Sequence, residues 1–296
     1  MQHSIDIRRF PWIRRLAVDY ALNYNSLAPF FAGDPSTPEA WRKAITRRLN
    51  LRPPSAFVEV LAAQQQSRGA PSEALAATEK LGRPDTVAIV TGQQAGLFGG
   101  PLFTLLKAVT AIKLARRLSQ EQSVPVVAVF WVDAEDHDWN EVASCAVLDA
   151  DWQVRRVVVE PPPGAGEMPV GSLKLGDGIS TAVDAMANAL PPSEFTATIL
   201  NDLRRTYQSG TTMSKAFSLW LETVLGAEGL IVFDSSDPAA KPFVKTLFEK
   251  ELRNTQTAAL ATEAGKQLVA RGYHAQVTPH PESVALFRVD GVRHAI

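Results

Sequence analysis

The fold is decided by the stretch Thr86-Val-Ala-Ile-Val-Thr-Gly-Gln-Gln-Ala-Gly-Leu-Phe-Gly-Gly-Pro-Leu-Phe-Thr104. Its first five residues are mostly apolar and β-branched, as in a strand that is covered on both faces of a parallel sheet. Four glycines and Pro101 follow, and apolar residues then recur at helical spacing as far as Leu118. A second apolar run, Val124–Val132, comes next. This order of strand, turn, helix and strand predicts a right-handed βαβ unit.

The rest of the chain predicts an α/β fold, with a mostly parallel sheet, flanking helices and a helical N-terminal segment. We expect two regions, a helical segment over residues 1–84 that packs on the core and a core domain over residues 85–296 that is incomplete at its C-terminus. The predicted N-terminal helices cover residues 38–49, 56–66 and 72–81. The next predicted elements are paired strands at 145–148 and 154–159 and helical regions at 181–190 and 195–225, the second broken near Gly210. A third core strand is predicted at 230–233, followed by a long helix from Pro238 to about Val269. The last predicted elements are strands at 275–277, 284–289 and 292–296, the last two joined by an Asp290-Gly291 turn.

The composition excludes several classes of function. The chain has 296 residues, with 30 basic and 31 acidic side chains, so no broad electrostatic field attracts nucleic acid or an anionic membrane. The first residues hold no apolar run behind a basic start, which predicts neither a signal peptide nor a membrane span. Cys145 is the only cysteine, which excludes an internal disulfide. We therefore expect a cytoplasmic protein whose function comes from a local site.

The glycine-rich part of the opening stretch is a candidate anion site. Glycines after a buried strand let the backbone turn tightly, and a helix that starts at Pro101 adds the positive end of its dipole. The spacing matches neither a Walker A loop nor the dinucleotide fingerprint. Gln93 and Gln94 add amide groups, and Lys107 either reaches back towards a ligand or lies in solvent. The alternative is a purely structural turn between strand and helix.

A second candidate segment, Phe130-Trp-Val-Asp-Ala-Glu-Asp-His-Asp-Trp-Asn-Glu141, begins where the second strand ends. Ligands of open parallel sheets bind beyond the carboxyl ends of the strands, so both candidate segments are expected to face one crevice. Five carboxylates within nine residues suit an amino group, a magnesium ion or a proton-transfer pair with His137. The alternative is a solvated cap at the start of a helix. One histidine without a second at i+3 or i+4 is poor evidence for zinc, and we predict no metal site.

Other polar residues offer weaker candidates. Asp234-Ser-Ser-Asp237 follows the third core strand and either contributes to the crevice or caps the helix that begins at Pro238. His280 and Glu282 lie in a predicted loop that gives no basis for a role. Cys145 has no placed base beside it, so we interpret it as a core residue and not as a nucleophile.

The two main segments together resemble a known family. Gly-Gln-Gln-x-Gly-Leu-Phe-x-Gly-Pro over residues 92–101 and Phe-Trp-x-x-x-Glu-Asp-His-Asp over residues 130–138 are similar to the signature of the cysteine-adding enzymes of bacillithiol biosynthesis, the cysteine ligases. Weaker similarities continue through residues 230–238, 277–282 and 286–288 to Arg293. The resemblance therefore spans most of the chain.

The resemblance implies a Rossmann-like core and a ligase that joins cysteine to the amine of glucosaminyl malate in the last step of bacillithiol synthesis. The glycine segment would hold the malate carboxylates or a phosphate, and the acidic segment would face the amine. His137 or a neighbouring carboxylate would deprotonate that amine. The implied catalytic residues are Glu135, Asp136, His137 and Asp138, and the implied substrate-binding residues are Gly92, Gln93, Gln94, Gly96, Gly99, Gly100, Lys107, Trp131 and Glu141.

Cofactors and partners follow from the same resemblance. Forming an amide from a free carboxylate requires activation, so the chemistry leads us to expect ATP with magnesium, although no phosphate-binding motif establishes either. The family dimerises through a coiled coil, and no sustained heptad pattern occurs in this sequence. We expect cysteine and glucosaminyl malate as small-molecule partners, without nucleic acid or a membrane. The alternatives are a non-catalytic Rossmann-like module that binds a sugar acid or a nucleotide, and another adenylyl-forming enzyme.

Overall fold

The computed structural model describes residues 5–49, 51, 53–254, 256–277, 279, 284–290 and 292–296. Backbone proximity divides the chain into two compact units, one of residues 1–48, 245–288 and 294–296 and the other of residues 49–244 and 289–293. The second unit contains the main sheet and both candidate segments. This grouping differs from the division into 1–84 and 85–296, which stays a prediction.

Four helices precede the first strand, and helices and strands follow one another in mixed order after it. The helices are α1 (Arg15–Leu22), α2 (Pro38–Arg48), α3 (Ser55–Arg68), α4 (Ser72–Leu81), α5 (Phe103–Gln122), α6 (Trp139–Val142), α7 (Gly178–Ala189), α8 (Thr196–Thr206), α9 (Met213–Leu225), α10 (Lys245–Asn254) and α11 (Thr257–Ala270). The strands are β1 (Val87–Gln94), β2 (Val126–Asp133), β3 (Ser144–Leu148), β4 (Val154–Val158), β5 (Leu230–Asp234), β6 (Phe287–Val289) and β7 (Arg293–Ala295).

The main sheet is parallel, as the βαβ pattern predicts. Its strand order is β1-β2-β5, and both pairs run parallel. Its apolar, β-branched strands fit this arrangement because parallel sheets are covered on both faces. The prediction of an α/β fold with a mostly parallel sheet is therefore confirmed.

The two faces of the sheet are covered unequally. Helices α5 and α9 pack on one face, where Phe130 and Val132 are fully buried. Helices α3 and α4 pack on the other face against β2 and β5, and Leu61 and Ile231 belong to that layer. On this second face β1 is less well covered, and Val90 is 58% exposed. One region of the sheet surface is therefore open to solvent.

Several predicted elements differ in their bounds. Strand β1 extends to Gln94, so Gly92 lies inside the strand and not in the turn, and helix α5 begins at Phe103 and not at Pro101. The predicted helix from Pro238 to Val269 is wrong as one element, because a 3-10 helix over Pro238–Val244 precedes α10 and α11. Pro242 lies within that 3-10 helix, and its missing N–H and its ring oppose a continuous α-helix.

The smaller strands agree with the prediction in part. Strands β3 and β4 pair antiparallel, and β6 pairs with β7. The predicted strand at 275–277 is wrong, since those residues form no strand. Gly291 of the expected turn and the predicted loop residues His280 and Glu282 lie outside the described residues.

A buried ion pair joins α3 to α9 and contacts the backbone of β5. The Arg68 guanidinium donates to the Glu222 carboxylate through Nε at 2.9 Å and Nη2 at 2.7 Å, and Nη2 also donates to the Val232 carbonyl at 2.7 Å. The two side chains are 4% and 2% exposed. Bidentate geometry and the extra carbonyl acceptor offset the cost of removing these charges from water.

Replacing one member of this pair should destabilise the fold strongly. Glu222→Gln leaves the Arg68 charge buried without its counter-ion, and we expect a loss of about 3–5 kcal/mol in the free energy of unfolding. Urea denaturation followed by circular dichroism measures this loss. The matched control is Glu228→Gln, which breaks an exposed ion pair with Arg116 and should cost less than about 1 kcal/mol. Equal losses for the two variants would contradict the role assigned to burial.

Candidate functional site at the strand ends

The three strands of the main sheet end side by side. Gln94 at the end of β1 is in register with Asp133 of β2, and Asp234 of β5 is in register with Val132. The segments that follow these strands therefore begin at one edge of the sheet. This placement brings the glycine-rich and acidic segments to the same end of the strands, as the sequence predicts.

Gln94 connects the two segments directly. Its side-chain amide donates to Asp136 Oδ2 at 2.8 Å and to Glu141 Oε2 at 2.6 Å. A neutral amide offers two N–H groups, so it can bridge two carboxylates without introducing a charge. The bridge places Gln94, Asp136 and Glu141 within one polar cluster.

The acidic segment is held by its backbone. The N–H groups of Val170 and Gly171 donate to the carbonyls of Asp136 and Ala134, both at 2.7 Å. A Cβ atom at Gly171 would lie 2.6 Å from Ser236 Oγ, so only glycine permits this close approach. These contacts fix the backbone from which the acidic side chains project.

Individual acidic residues have different roles. Asp138 caps α6 by accepting the Glu141 N–H at 3.2 Å, in agreement with the capping interpretation. His137 Nδ1 lies 3.2 Å from Asp136 Oδ1, and the His137 side chain is 47% exposed. A carboxylate at this distance orients the imidazole ring. Asp136 and His137 therefore have the geometry of a proton-transfer pair.

Lys241 also belongs to the site, although the sequence did not predict it. Its ammonium group contacts the Glu135 carboxylate and donates to the Ser235 carbonyl at 3.1 Å. The available signal was a lysine three residues beyond Pro238, shortly after the third strand. It could not identify Lys241, because the 3-10 helix that turns this side chain towards Glu135 was not predicted.

The other polar residues after β5 serve mainly as local caps. Ser236 Oγ donates to Asp234 Oδ1 at 2.6 Å, and Asp237 accepts the Ala239 N–H at 2.9 Å. Gln64 Nε2 donates to Asp237 Oδ2 at 2.8 Å. This geometry agrees with the capping alternative for Asp234–Asp237.

Tyr207 fixes the glycine turn from inside the protein. Its hydroxyl donates to the Gly96 carbonyl and accepts the Gly99 N–H, both at 2.9 Å. Burial raises the pKa of Tyr207, so its hydroxyl keeps the proton that it donates. A Cβ at Gly99 would lie 2.3 Å from the Trp220 ring. Tyr207 was not predicted, since only tertiary structure brings it to the turn.

Gly96 and Gly99 therefore lie in the protein interior, whereas Gly92 lines an open cleft and Gly100 is half-buried. The N–H of Gly99 is engaged by Tyr207, so it is not directed at a ligand. The assignment of these glycines to an anion site stays a prediction, and the geometry of Gly96 and Gly99 favours a positioning role.

Lys107 reaches back from α5 to the end of β1. Its ammonium group donates to Gln93 Oε1 at 2.8 Å and to the Gly92 carbonyl at 3.2 Å, while the residue stays exposed. Among the residues that the structure describes, the acceptors of this exposed ammonium are neutral, so its charge is available to an anion. This position matches the first of the two alternatives for Lys107.

An open cleft of about 650 Å³ lies beside these groups. Its lining consists of residues 90–94, Trp131, Asp133 and Glu135, and we call it the strand-end cleft. It joins residues from both candidate segments. Of the predicted site residues, Gly92, Gln93, Gln94, Trp131 and Glu135 line it.

The described residues give no basis for placing the expected ATP and magnesium. The described residues hold no group of three or more histidine, cysteine or acidic side chains arranged for a metal ion. The glycine turn does not present its Gly99 amide to a phosphate. We therefore assign no residue to either group.

Cys145 is partly buried and packs against the core. Burial raises the pKa of the Cys145 thiol, which lowers its thiolate fraction and agrees with a core role.

Among the residues that the structure describes, no helix combines the length and the apolar character needed to cross a membrane.

Removing the Tyr207 hydroxyl should destabilise the protein and loosen the glycine turn. Tyr207→Phe leaves the Gly96 carbonyl and the Gly99 N–H buried without partners, and we expect a loss of about 2–4 kcal/mol in the free energy of unfolding. Urea denaturation measures the loss, and hydrogen exchange should show faster exchange of the Gly99 amide.

The matched control is Tyr24→Phe. Within the described ranges, the Tyr24 hydroxyl is buried and has no hydrogen-bond partner. Its removal should change the free energy of unfolding by less than about 0.5 kcal/mol or stabilise the protein, because no hydrogen bond is lost. A Tyr207→Phe variant as stable as this control, with a protected Gly99 amide, would show that the two hydrogen bonds do not hold the turn.

Comparison with known proteins identifies the family. A sequence profile described as "Bacillithiol biosynthesis BshC, N-terminal Rossmann-like domain" matches residues 2–296. Proteins named "Putative cysteine ligase BshC" are similar along most of the chain. The one from Salinibacter ruber is 36% identical over 93% of this chain, and the one from Koribacter versatilis is 31% identical over 99%.

The aligned regions cover 51% of the Salinibacter ruber protein and 54% of the Koribacter versatilis protein, so this chain spans about half the length of these relatives. The profile match extends over both candidate segments. With nearly the whole sequence matched, the chain belongs to the family of the BshC N-terminal Rossmann-like domain of bacillithiol biosynthesis.

Proposed function

We propose that this chain is part of a ligase that joins cysteine to the amine of glucosaminyl malate in the last step of bacillithiol biosynthesis. The observation that carries the proposal is the Gln94 bridge, which gathers Asp136 and Glu141 at the strand ends. The names of the relatives support ligation of cysteine. The amine substrate is supported by the negative charge of the cluster and by the resemblance to the family.

The charges of the site suit a substrate with an amine at one end and carboxylates at the other. Asp136 and Glu141 attract a protonated amine, while Glu135 beside them is paired with Lys241. Lys107 supplies a positive charge near Gly92, where it can pair with a malate carboxylate. Opposite charges at the two ends orient the substrate and increase the rate of its encounter with the site.

In the proposed reaction, His137 removes a proton from the amine while Asp136 stabilises the resulting imidazolium. The nitrogen lone pair then attacks the activated carboxyl carbon of cysteine and forms the carbon–nitrogen bond. The bond from that carbon to the activating group breaks, and the departing group takes the second proton of the nitrogen, which leaves the neutral amide. Gln94 keeps the Asp136 carboxylate in place through its hydrogen bond. The site is expected to be cytoplasmic, where low-molecular-weight thiols are kept reduced.

Calorimetry and mass spectrometry test the proposal on the chain itself. We expect glucosaminyl malate to bind more tightly than malate, because only the former carries the amine. Incubation with cysteine, ATP and glucosaminyl malate should then yield bacillithiol. An absence of glucosaminyl malate binding would contradict the proposal, and binding without product would favour the non-catalytic module for this chain. Release of AMP or ADP identifies the route by which cysteine is activated.

Variants separate the proposed roles. His137→Ala should lower the rate of product formation by about 10²–10⁴-fold with little change in binding, because a general base acts in the transition state. Asp136→Asn should weaken glucosaminyl malate binding as well, because it removes a charge that faces the amine. The control is Asp151→Asn, which changes an exposed carboxylate in the turn between β3 and β4. Near-normal turnover by His137→Ala would remove His137 from the mechanism.

A further inference from the structure

The strand-end cleft has an apolar wall formed by Val90 and Trp131. On the sheet face covered by α3 and α4, the covering layer reaches Ala88 of β1, but Val90 is 58% exposed. Trp131, on the neighbouring strand, is 42% exposed. An exposed tryptophan at a concave site, beside polar groups, is typical of a ligand-binding surface.

Gly92 creates the depression in this surface. Alternate residues of a strand point to the same face, so the missing side chain at Gly92 leaves a gap between Val90 and Gln94. Gly92 is in register with Trp131, which places the gap beside the indole ring. A Cβ at Gly92 would lie 2.6 Å from the Trp131 carbonyl oxygen and 3.2 Å from Trp131 Cβ. Glycine therefore permits both the close approach of the two strands and the open floor of the cleft.

The Trp131 ring packs against an aromatic side chain of the neighbouring strand. It makes an edge-to-face contact with Phe233, with ring centroids 4.9 Å apart and an interplanar angle of 84°. Phe233, on β5, is itself buried in the layer that α3 and α4 cover. This support limits the freedom of the indole and reduces the entropy that a ligand would have to remove on stacking.

The polar lining complements the aromatic wall. Asp133 and Glu135 contribute carboxylate oxygens, and Gln93 and Gln94 contribute amides. A pyranose ring has apolar C–H faces and a rim of hydroxyl donors and acceptors, so it matches an aromatic wall flanked by carboxylates and amides.

We infer that Trp131 is the platform on which the pyranose ring of a sugar substrate stacks, with Asp133 and Glu135 accepting hydrogen bonds from its hydroxyl groups. The inference rests on the proposed function, because glucosaminyl malate carries such a ring with its amine attached. Glu135 belongs to both the cleft and the acidic segment, so a ring stacked on Trp131 brings its amino group to that segment.

Binding measurements on the full 296-residue chain test the platform. Calorimetry with glucosaminyl malate, malate, methyl glucopyranoside and adenosine is carried out on the wild-type protein, on Trp131→Ala and Trp131→Phe, and on the control Trp152→Ala. Trp152 is also exposed, but it lies in the turn between β3 and β4, outside the cleft. Saturation-transfer NMR identifies which ligand protons contact the protein.

We expect Trp131→Ala to weaken glucosaminyl malate binding by about tenfold or more, and Trp131→Phe to weaken it less, because a smaller aromatic face remains. Trp152→Ala should leave glucosaminyl malate binding unchanged. The Trp131 variants should bind malate as the wild-type protein does. Saturation should reach the pyranose protons more strongly than the malate protons. Trp131→Phe keeps an aromatic ring against Phe233, so it tests the platform even if Trp131→Ala fails to fold.

The outcomes separate this inference from the proposed function. Glucosaminyl malate binding that is unchanged in both Trp131 variants would overturn the platform and leave the proposed substrate in place. If the wild-type chain binds no glucosaminyl malate, the proposed function fails. In that case, methyl glucopyranoside binding that depends on Trp131 would still support the platform, and its absence would overturn it. Adenosine binding that depends on Trp131, without sugar binding, would also overturn it.

Discussion

The parallel pairing of β1 with β2 is the constraint on which the rest of the site depends. Its register sets Gly92 against Trp131 and Gln94 against Asp133, so both strands reach the same edge together. A shift by one residue would move every side chain of β1 to the opposite face of the sheet. The Gln94 bridge and the open floor at Gly92 would then be lost together. The same hydrogen-bonded ladder therefore determines the geometry of the polar cluster and the shape of the cleft.

The glycine-rich segment shows why composition did not reveal the role of each glycine. Gly92 permits the approach of two strands, while Gly99 makes room for the Trp220 ring and adopts a φ of 89°. Phe98, between them in the turn, also has a positive φ of 52° and stacks edge-to-face on Tyr207. A non-glycine residue in this conformation is costly unless its surroundings compensate. The hydrogen bonds and ring contact of Tyr207 provide that compensation.

The sequence predicted the features that are local or periodic. The apolar runs at β1, β2 and β5 indicated the parallel sheet. The rule that ligands bind at the ends of parallel strands predicted that the segments containing Gln94 and Asp136 face one crevice. It could not reveal Tyr207 or Lys241, since each depends on contacts between residues more than 100 positions apart. Element bounds such as the end of β1 were also missed, because neighbouring strands, and not local propensity, decide how far a strand extends.

Charge balance explains how so many carboxylates can share one edge of the sheet. Asp136 and Glu141 accept from Gln94, and Glu135 contacts Lys241. The Gln94 amide is neutral, so it satisfies hydrogen bonds at Asp136 and Glu141 without cancelling their charge. The Lys241 ammonium, in contrast, cancels most of the charge of Glu135. Asp136 and Glu141 therefore lie together at one amide, and the exposed ring of His137 contacts Asp136. In the proposed reaction, an amine held by Asp136 and Glu141 would lie next to the His137 imidazole, which is the arrangement that transfer of a proton from an amine requires.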